Sequence, residues 1–139
     1  MALRTTYTAV PVAMLATGAE VRVPIHEMRG LAGDGPTLGL TACLHGDEQV
    51  GTEILYGVMT ALDPAQLRGR LLVVPVANPL AYAEVTRHTP LDMHNLNRVV
   101  PGGGEGFFTH QLAEVLVRPC RINPGDYGYM IGDLSTAER

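Results

Sequence analysis

Runs of apolar residues divide the chain into segments with the periodicity of strands and helices. Residues 19–30 alternate between apolar and polar positions, which predicts a strand, and Pro24 places it near a sheet edge. Residues 36–44 and 70–78 are continuous apolar runs. Such runs are typical of strands that are covered on both faces.

Two further segments have helical spacing. Residues 48–62 predict an amphipathic helix. The apolar positions of its predicted buried face are Val50, Ile54, Leu55, Val58 and Met59. Residues 108–118 predict a second helix, with Thr109 as its cap. Residues 79–106 between them are rich in Pro, Gly and Asn and are predicted to be a loop, and a short last strand is expected around Tyr129 to Leu134.

This order of elements predicts an α/β fold, with a mixed, largely parallel sheet flanked by helices and a single domain over residues 1–139. In such folds ligands bind beyond the carboxyl ends of the strands. His45 and Asn78 both follow predicted strands. We therefore expect a functional site at these strand ends.

The net charge, the apolar runs and the cysteines exclude several classes of protein. The formal net charge of −4 lacks the basic footprint of a nucleic-acid-binding protein. No apolar run has the length of a membrane span or the form of a signal peptide, so a cytoplasmic location is expected. Cys43 and Cys120 do not form the framework of a secreted scaffold, and Cys43 is expected to be a small core residue.

The stretch His45-Gly46-Asp47-Glu48 has two interpretations. Imidazole nitrogen and carboxylate oxygen are zinc ligands, and two such groups three residues apart on a tight turn can converge on one ion. Alternatively, His45 contacts a backbone carbonyl and Glu48 favours the amino terminus of the next helix. The spacing alone leaves both open.

The predicted loop gathers polar side chains that suit an anionic ligand. They are Asn78, Arg87, Asp92, Asn95, Asn97 and Arg98. The planar guanidinium of arginine matches a carboxylate, and asparagine adds neutral donors beside it. The alternative is that these groups hold the loop together through hydrogen bonds to its own backbone.

Taken in order, the motifs "HGDE", "ANPLAY" and "NLNR…PGG" resemble the succinylglutamate desuccinylase/aspartoacylase family, which is related to the zinc carboxypeptidases. The resemblance covers roughly residues 36–118, the front part of a typical family member. It implies a zinc-carboxypeptidase-like fold, here apparently truncated. It also implies hydrolysis of the amide bond of an N-acyl amino acid or a similar small carboxylate.

The resemblance also implies roles for individual residues. His45 and Glu48 match two ligands of one Zn²⁺ ion, and Arg87 matches the arginine that polarises the scissile carbonyl. Asn97 and Arg98 match the residues that bind the substrate carboxylate. Asn95 is placed with them in the substrate-binding segment, and Asp92 has a supporting role in the same loop. His88 and His94 match no ligand and are expected to be exposed.

The match fails near the end of the chain. Ser135 stands where the family has its third zinc-binding histidine, and the family's catalytic glutamate has no counterpart. Asp133, or with less support His110, is the candidate replacement ligand, although His110 is expected on a solvated face. The alternative function is therefore a weakly active or inactive carboxylate-binding domain, or a fragment that needs a partner segment. Exposed strand edges of a truncated sheet would favour a homo-oligomer.

Overall fold

The computed structural model of the protein describes residues 5–100, 102–103 and 106–118, and the backbone of 127–131. The elements along this part are β1 (Thr5–Met14), β2 (Glu20–Arg29), β3 (Thr37–Ala42), α1 (Val50–Ala61), β4 (Arg70–Val74), α2 (Pro79–Glu84), α3 (Leu96–Val99), α4 (Phe108–Val117) and β5 (Tyr127–Ile131). Within these residues, no helix combines the length and the apolar character needed to cross a bilayer.

The strands form one sheet in the order β1-β2-β4-β3-β5. β2 is antiparallel to both of its neighbours, whereas β3 is parallel to β4 and to β5. Four of the five strands therefore point in the same direction and only β2 opposes them. This arrangement confirms the predicted mixed, largely parallel sheet.

Each face of the sheet is covered by helices, and the core has two parts. One cluster joins β2 and the ends of β3 and β4 to α3 and α4: Val21, Val23, Ile25, Leu44, Val74, Ala77, Leu96, Phe108, Leu112, Ala113 and Leu116. The other lies under α1: Met28, Ala42, Leu55, Met59, Leu71 and Val73. β4 contributes to both clusters, as its continuous apolar run predicts.

The first strand of the sheet is missing from the sequence prediction. β1 pairs with β2 along its whole length, with an irregularity between Pro11 and Ala13, and most of its side chains are exposed or half-buried. Because β1 is an edge strand, it tolerates proline and lacks a buried face, so its pattern is weak. β2 is consequently the second strand of the sheet, which is near the edge, as Pro24 predicts, but not at it. β4 pairs only with residues 26–29, so Pro24 lies beyond that pairing.

The apolar face of α1 is only partly buried. Leu55 and Met59 are in the core, but Val50 is 74% exposed and Ile54 is 47% exposed. Leu38 and Leu40 of β3 are half-buried beside α1 and line an open cavity of about 430 Å³. The prediction of cover on both faces is therefore only partly correct for β3, whereas four of the five residues of β4 are buried.

The segment 79–106 is not a continuous loop, because α2 and α3 form within it. Each helix is capped by an asparagine: Asn78 accepts a hydrogen bond from the backbone of Ala81, and Asn95 accepts one from the backbone of Asn97. α4 begins with Phe107 as its cap instead of Thr109. β5 starts earlier than predicted, at Tyr127. Asp133, Ser135 and Cys120 lie outside the described residues.

We predict that Gly46→Ala lowers the free energy of unfolding by at least about 2 kcal/mol, because a Cβ there would lie 1.8 Å from the carbonyl oxygen of Ala81 in α2. Gly57 in α1 is the matched control, since a Cβ there meets nothing within 4 Å. Gly57→Ala should instead raise the free energy of unfolding by about 0.8–1 kcal/mol through helix propensity. Urea denaturation measures both, and equal effects of the two substitutions would contradict the close approach of α2.

Candidate metal centre

Two neighbouring parallel strands end side by side at the site. The backbone N–H of Ala77 donates to the carbonyl of Ala42 at 2.9 Å, and that of Asn78 donates to the carbonyl of Cys43 at 3.1 Å. These bonds continue the pairing of β3 and β4 past their ends. His45 and Asn78 are 2% and 0% exposed and follow the ends of β3 and β4, as predicted.

The imidazole of His45 is held on both sides. Its Nδ1 lies 2.7 Å from Oε1 of Glu48, and its Nε2 lies 2.9 Å from Oδ1 of Asn95. Oδ1 of Asn95 also accepts the backbone N–H of Asn97 at 3.0 Å, so this atom must be the amide oxygen. An oxygen can only accept, and Nε2 of His45 is therefore the protonated nitrogen.

This tautomer places two acceptors opposite each other. In a neutral imidazole with a proton on Nε2, Nδ1 carries a lone pair, and that lone pair faces a carboxylate oxygen. Two acceptors at 2.7 Å repel unless a proton or a metal cation lies between them. The alternative in which His45 contacts a backbone carbonyl is not what the structure shows, because both ring nitrogens face side-chain oxygens.

Among the residues that the structure describes, no group of three His, Cys, Asp or Glu side chains is arranged to hold a metal ion. His110 is half-buried, and its ring lies 5.4 Å from that of His94 and 6.3 Å from that of Phe107. His94 is half-buried as well, so its predicted exposure is wrong, whereas His88 is exposed. The described part of the site therefore offers a two-residue donor pair.

One arginine lies beside this pair, and another follows Asn95 in the chain. Nη1 of Arg87 is 3.5 Å from Oε1 of Glu48, with the arginine side chain 36% exposed. Asn97 and Arg98 form the first turn of α3, directly after Asn95. Within the described residues, no hydrogen bond or ion pair occupies the exposed guanidinium of Arg98.

Three hydrogen bonds fix the segment that carries Arg87 and Asn95. The backbone N–H of Gly46 donates to the carbonyl of Thr86 at 2.7 Å. The side-chain amide of Asn78 donates to Thr89 at 2.8 Å, in a fully buried position. The hydroxyl of Thr109 donates to Asp92 at 2.6 Å. Some polar groups of this segment thus hold it together, as the alternative interpretation predicts, while others face His45 and Glu48.

Strained backbone precedes three of these side chains. Cys43, Val85 and Met93 have φ values of 55°, 54° and 59°, the positive φ that residues other than glycine rarely adopt. Each lies two positions before a residue of the candidate site, namely His45, Arg87 and Asn95. Because these residues are not Gly, Asn or Asp, no sequence signal reveals the strain.

Cys43 is a core residue, as predicted, and is fully buried. Burial raises the pKa of its thiol to about 11, and the nearby carboxylates of Glu48 and Asp47 act in the same direction, against a hydrogen bond with Thr52. The thiolate that nucleophilic or metal-binding chemistry requires is therefore disfavoured.

The described residues form a mixed α/β fold with polar side chains at the strand ends, and comparison with known proteins gives the family. Residues 34–121 match the succinylglutamate desuccinylase/aspartoacylase catalytic domain, and the chain belongs to this family. This confirms the resemblance carried by the sequence motifs.

Among curated proteins, the chain is similar to the N-alpha-acetyl-L-2,4-diaminobutyric acid deacetylase of Halomonas elongata, with 35% identity over 98 residues. That match covers 70% of this chain and 28% of the deacetylase. The chain thus spans less than a third of the length of this relative.

Solved structures of similar proteins have the same fold over most of this chain. An aspartoacylase family protein from Mesorhizobium loti superposes with a TM-score of 0.73 and 33% identity, over 82% of this chain and 36% of that one. The product-bound ectoine utilization protein EutE (DoeB) from Ruegeria pomeroyi gives a TM-score of 0.77 and 26% identity, over 94% and 41% of the two chains.

We predict that Val85→Asn raises the free energy of unfolding by about 1 kcal/mol, because asparagine tolerates the left-handed conformation that strains a β-branched residue. Val85 is 60% exposed, so the substitution removes little buried surface. Val50→Asn, the same change at an exposed residue of α1, is the control and should not stabilise the protein. Thermal and urea denaturation measure the difference, and equal effects at the two positions would contradict the strain.

Proposed function

We propose that this chain contributes the zinc-binding and carboxylate-binding part of a hydrolase that cleaves the amide bond of an N-acyl amino acid or a similar small carboxylate. The observation that carries the proposal is the opposed pair of acceptors, Nδ1 of His45 and Oε1 of Glu48. Family membership and the deacetylase relative support the type of reaction.

The donor pair suits Zn²⁺. A neutral imidazole nitrogen and a carboxylate oxygen are both zinc ligands, and hydrogen bonding of the other ring nitrogen, as Asn95 provides here, is typical of metal-binding histidines. Two ligands of one tetrahedral zinc ion lie about 3.3 Å apart, so the pair, now 2.7 Å apart, would open by about half an ångström. Glu48 is 12% exposed and lies before the first turn of α1.

Bound zinc would supply an acidic water molecule and polarise the substrate carbonyl. The residues of the chain have the remaining roles. Asn95 keeps the lone pair of Nδ1 directed at Glu48. Arg87, beside Glu48, provides positive charge where the oxyanion of a tetrahedral intermediate would form. Asn97 and the guanidinium of Arg98, which has no partner among the described residues, bind the substrate carboxylate.

The second candidate function is carboxylate binding with little or no turnover. The specific observation in its favour is that the described residues contain no group of three potential metal ligands. Turnover, zinc content and carboxylate binding separate the two functions, because the second requires only the last of these.

We predict that the chain binds one zinc ion and that His45→Ala weakens binding by more than the roughly 10–100-fold that loss of a residue hydrogen-bonded to a ligand costs. Binding should release protons, because zinc binds imidazole and carboxylate groups in their deprotonated forms. Calorimetry in buffers of different ionisation enthalpy measures both effects. His88→Ala, at an exposed histidine of the same segment, is the control. Equal affinity of the parent and His45→Ala would overturn the metal centre.

We also predict that Arg98→Ala raises the KM for an N-acetyl amino acid, or the Kd for its free carboxylate product, about tenfold or more by removing a charged hydrogen bond. Arg118→Ala is the control, because Arg118 is an exposed arginine that pairs with Glu114 on α4. Zinc affinity should be unchanged in both variants. If Arg118→Ala weakens carboxylate binding as much as Arg98→Ala, the assignment of the carboxylate site is wrong.

A further inference from the structure

The carboxylate of Asp92 is a buried junction of hydrogen bonds that the proposed chemistry does not use. Its side chain is 7% exposed. It accepts the backbone N–H of Thr109 at 2.8 Å, the hydroxyl of Thr109 at 2.6 Å and the backbone N–H of His94 at 3.2 Å. Burial raises the pKa of Asp92, but these hydrogen bonds outweigh burial and the net pKa is lowered. The group is therefore held as a carboxylate.

These bonds connect the candidate site to the core. Thr109 is fully buried in the first turn of α4, and α4 is anchored by Leu112, Ala113 and Leu116. The hydrogen bond to Thr109 also satisfies a backbone N–H that the helix leaves unpaired at its start. α4 thus gives Asp92 a fixed attachment.

On the side of the candidate site, Asp92 constrains the backbone directly before Asn95. Met93, between Asp92 and His94, has a φ of 59°, and its N–H donates to the carbonyl of Thr89 at 2.8 Å. The N–H of Thr89 donates in turn to the carbonyl of His94 at 2.9 Å. Strained conformations of this kind persist only where the surroundings over-determine them, and Asp92 is part of those surroundings.

We propose that Asp92 is a positioning residue of the metal centre, which ties residues 92–95 to α4 and so holds the amide oxygen of Asn95 against the Nε2–H of His45. The inference rests on the proposed zinc site, because its consequence is that Nδ1 keeps its lone pair for the metal. Without this attachment, Asn95 moves away and the opposite tautomer, with Nδ1–H donating to Glu48, competes with metal binding.

The first test compares Asp92→Ala with Asp63→Ala. Asp63 is the matched control, since its side chain also accepts the backbone N–H two residues on, from Ala65 at 2.9 Å, but it is exposed and follows the far end of α1. We expect both variants to lose some stability, and only Asp92→Ala to weaken zinc binding, by roughly tenfold. Competition with a chromophoric chelator measures the affinity. Equal zinc affinity of the two variants would overturn the proposal.

A double-mutant cycle tests whether Asp92 affects zinc affinity through Asn95. If Asp92 acts through Asn95, Asp92→Ala should have no further effect on zinc affinity once Asn95→Ala is present. Additive losses would show that Asp92 acts through general stability and would contradict the proposal. If Asp92→Ala fails to fold, Thr109→Val, which removes only the hydroxyl donor, takes its place, and Thr109→Ser, which keeps both donors, is the expected rescue.

A measurement on the metal-free protein tests the role of Asp92 independently of zinc binding. In protein labelled with ¹⁵N-histidine, the Nε2–H of His45 should exchange slowly with solvent in the parent and in Asp63→Ala, and rapidly in Asp92→Ala. Absence of zinc binding by the parent would overturn the proposed metal centre, whereas the exchange result would still decide whether Asp92 positions Asn95. Slow exchange in Asp92→Ala would overturn the positioning role.

Discussion

Two acceptors that face each other across 2.7 Å, Nδ1 of His45 and Oε1 of Glu48, are the interaction on which this site depends. Two facing acceptors repel each other, and a cation between them, either a proton or a metal ion, removes that repulsion. Asn95 is the cause of this opposition. Its amide oxygen accepts the Nε2–H of His45, which is the only N–H of a neutral imidazole ring, so Nδ1 is left with a lone pair. The chemistry of the pair therefore depends on the position of an amide fifty residues away in the chain.

The backbone next to the candidate site is strained at three positions. Cys43, Val85 and Met93 adopt left-handed conformations just before His45, Arg87 and Asn95, at a cost of about 1–2 kcal/mol each. Such strain is retained where the rest of the structure enforces it, and it clusters at functional sites. Here it is enforced by the close contact of Gly46 with α2 and by the buried bonds of Asn78 and Asp92.

The sequence predicts those parts of the molecule whose residues have distinctive chemistry or a clear period. The two buried strands, α1, α4 and the placement of His45 and Asn78 at strand ends follow from apolar runs and are confirmed. β1 was missed because an edge strand has little buried pattern. The caps of α2 and α3 were missed because asparagine serves equally in loops. The contacts of His45 with Asn95 and of Asp92 with Thr109 join residues 50 and 17 positions apart, and no local pattern encodes such pairs.

The partner of His45 is an amide where many metal-binding histidines have a carboxylate, and this difference sets the charge of the site. An amide oxygen fixes the tautomer without adding a negative charge. Glu48 is then the single anion among the three side chains, and Arg87 lies 3.5 Å from it. A divalent cation held by this pair would keep a net positive charge, which the guanidinium of Arg87 increases. A centre of that polarity would attract a carboxylate and stabilise a developing oxyanion, within a chain whose net charge is −4.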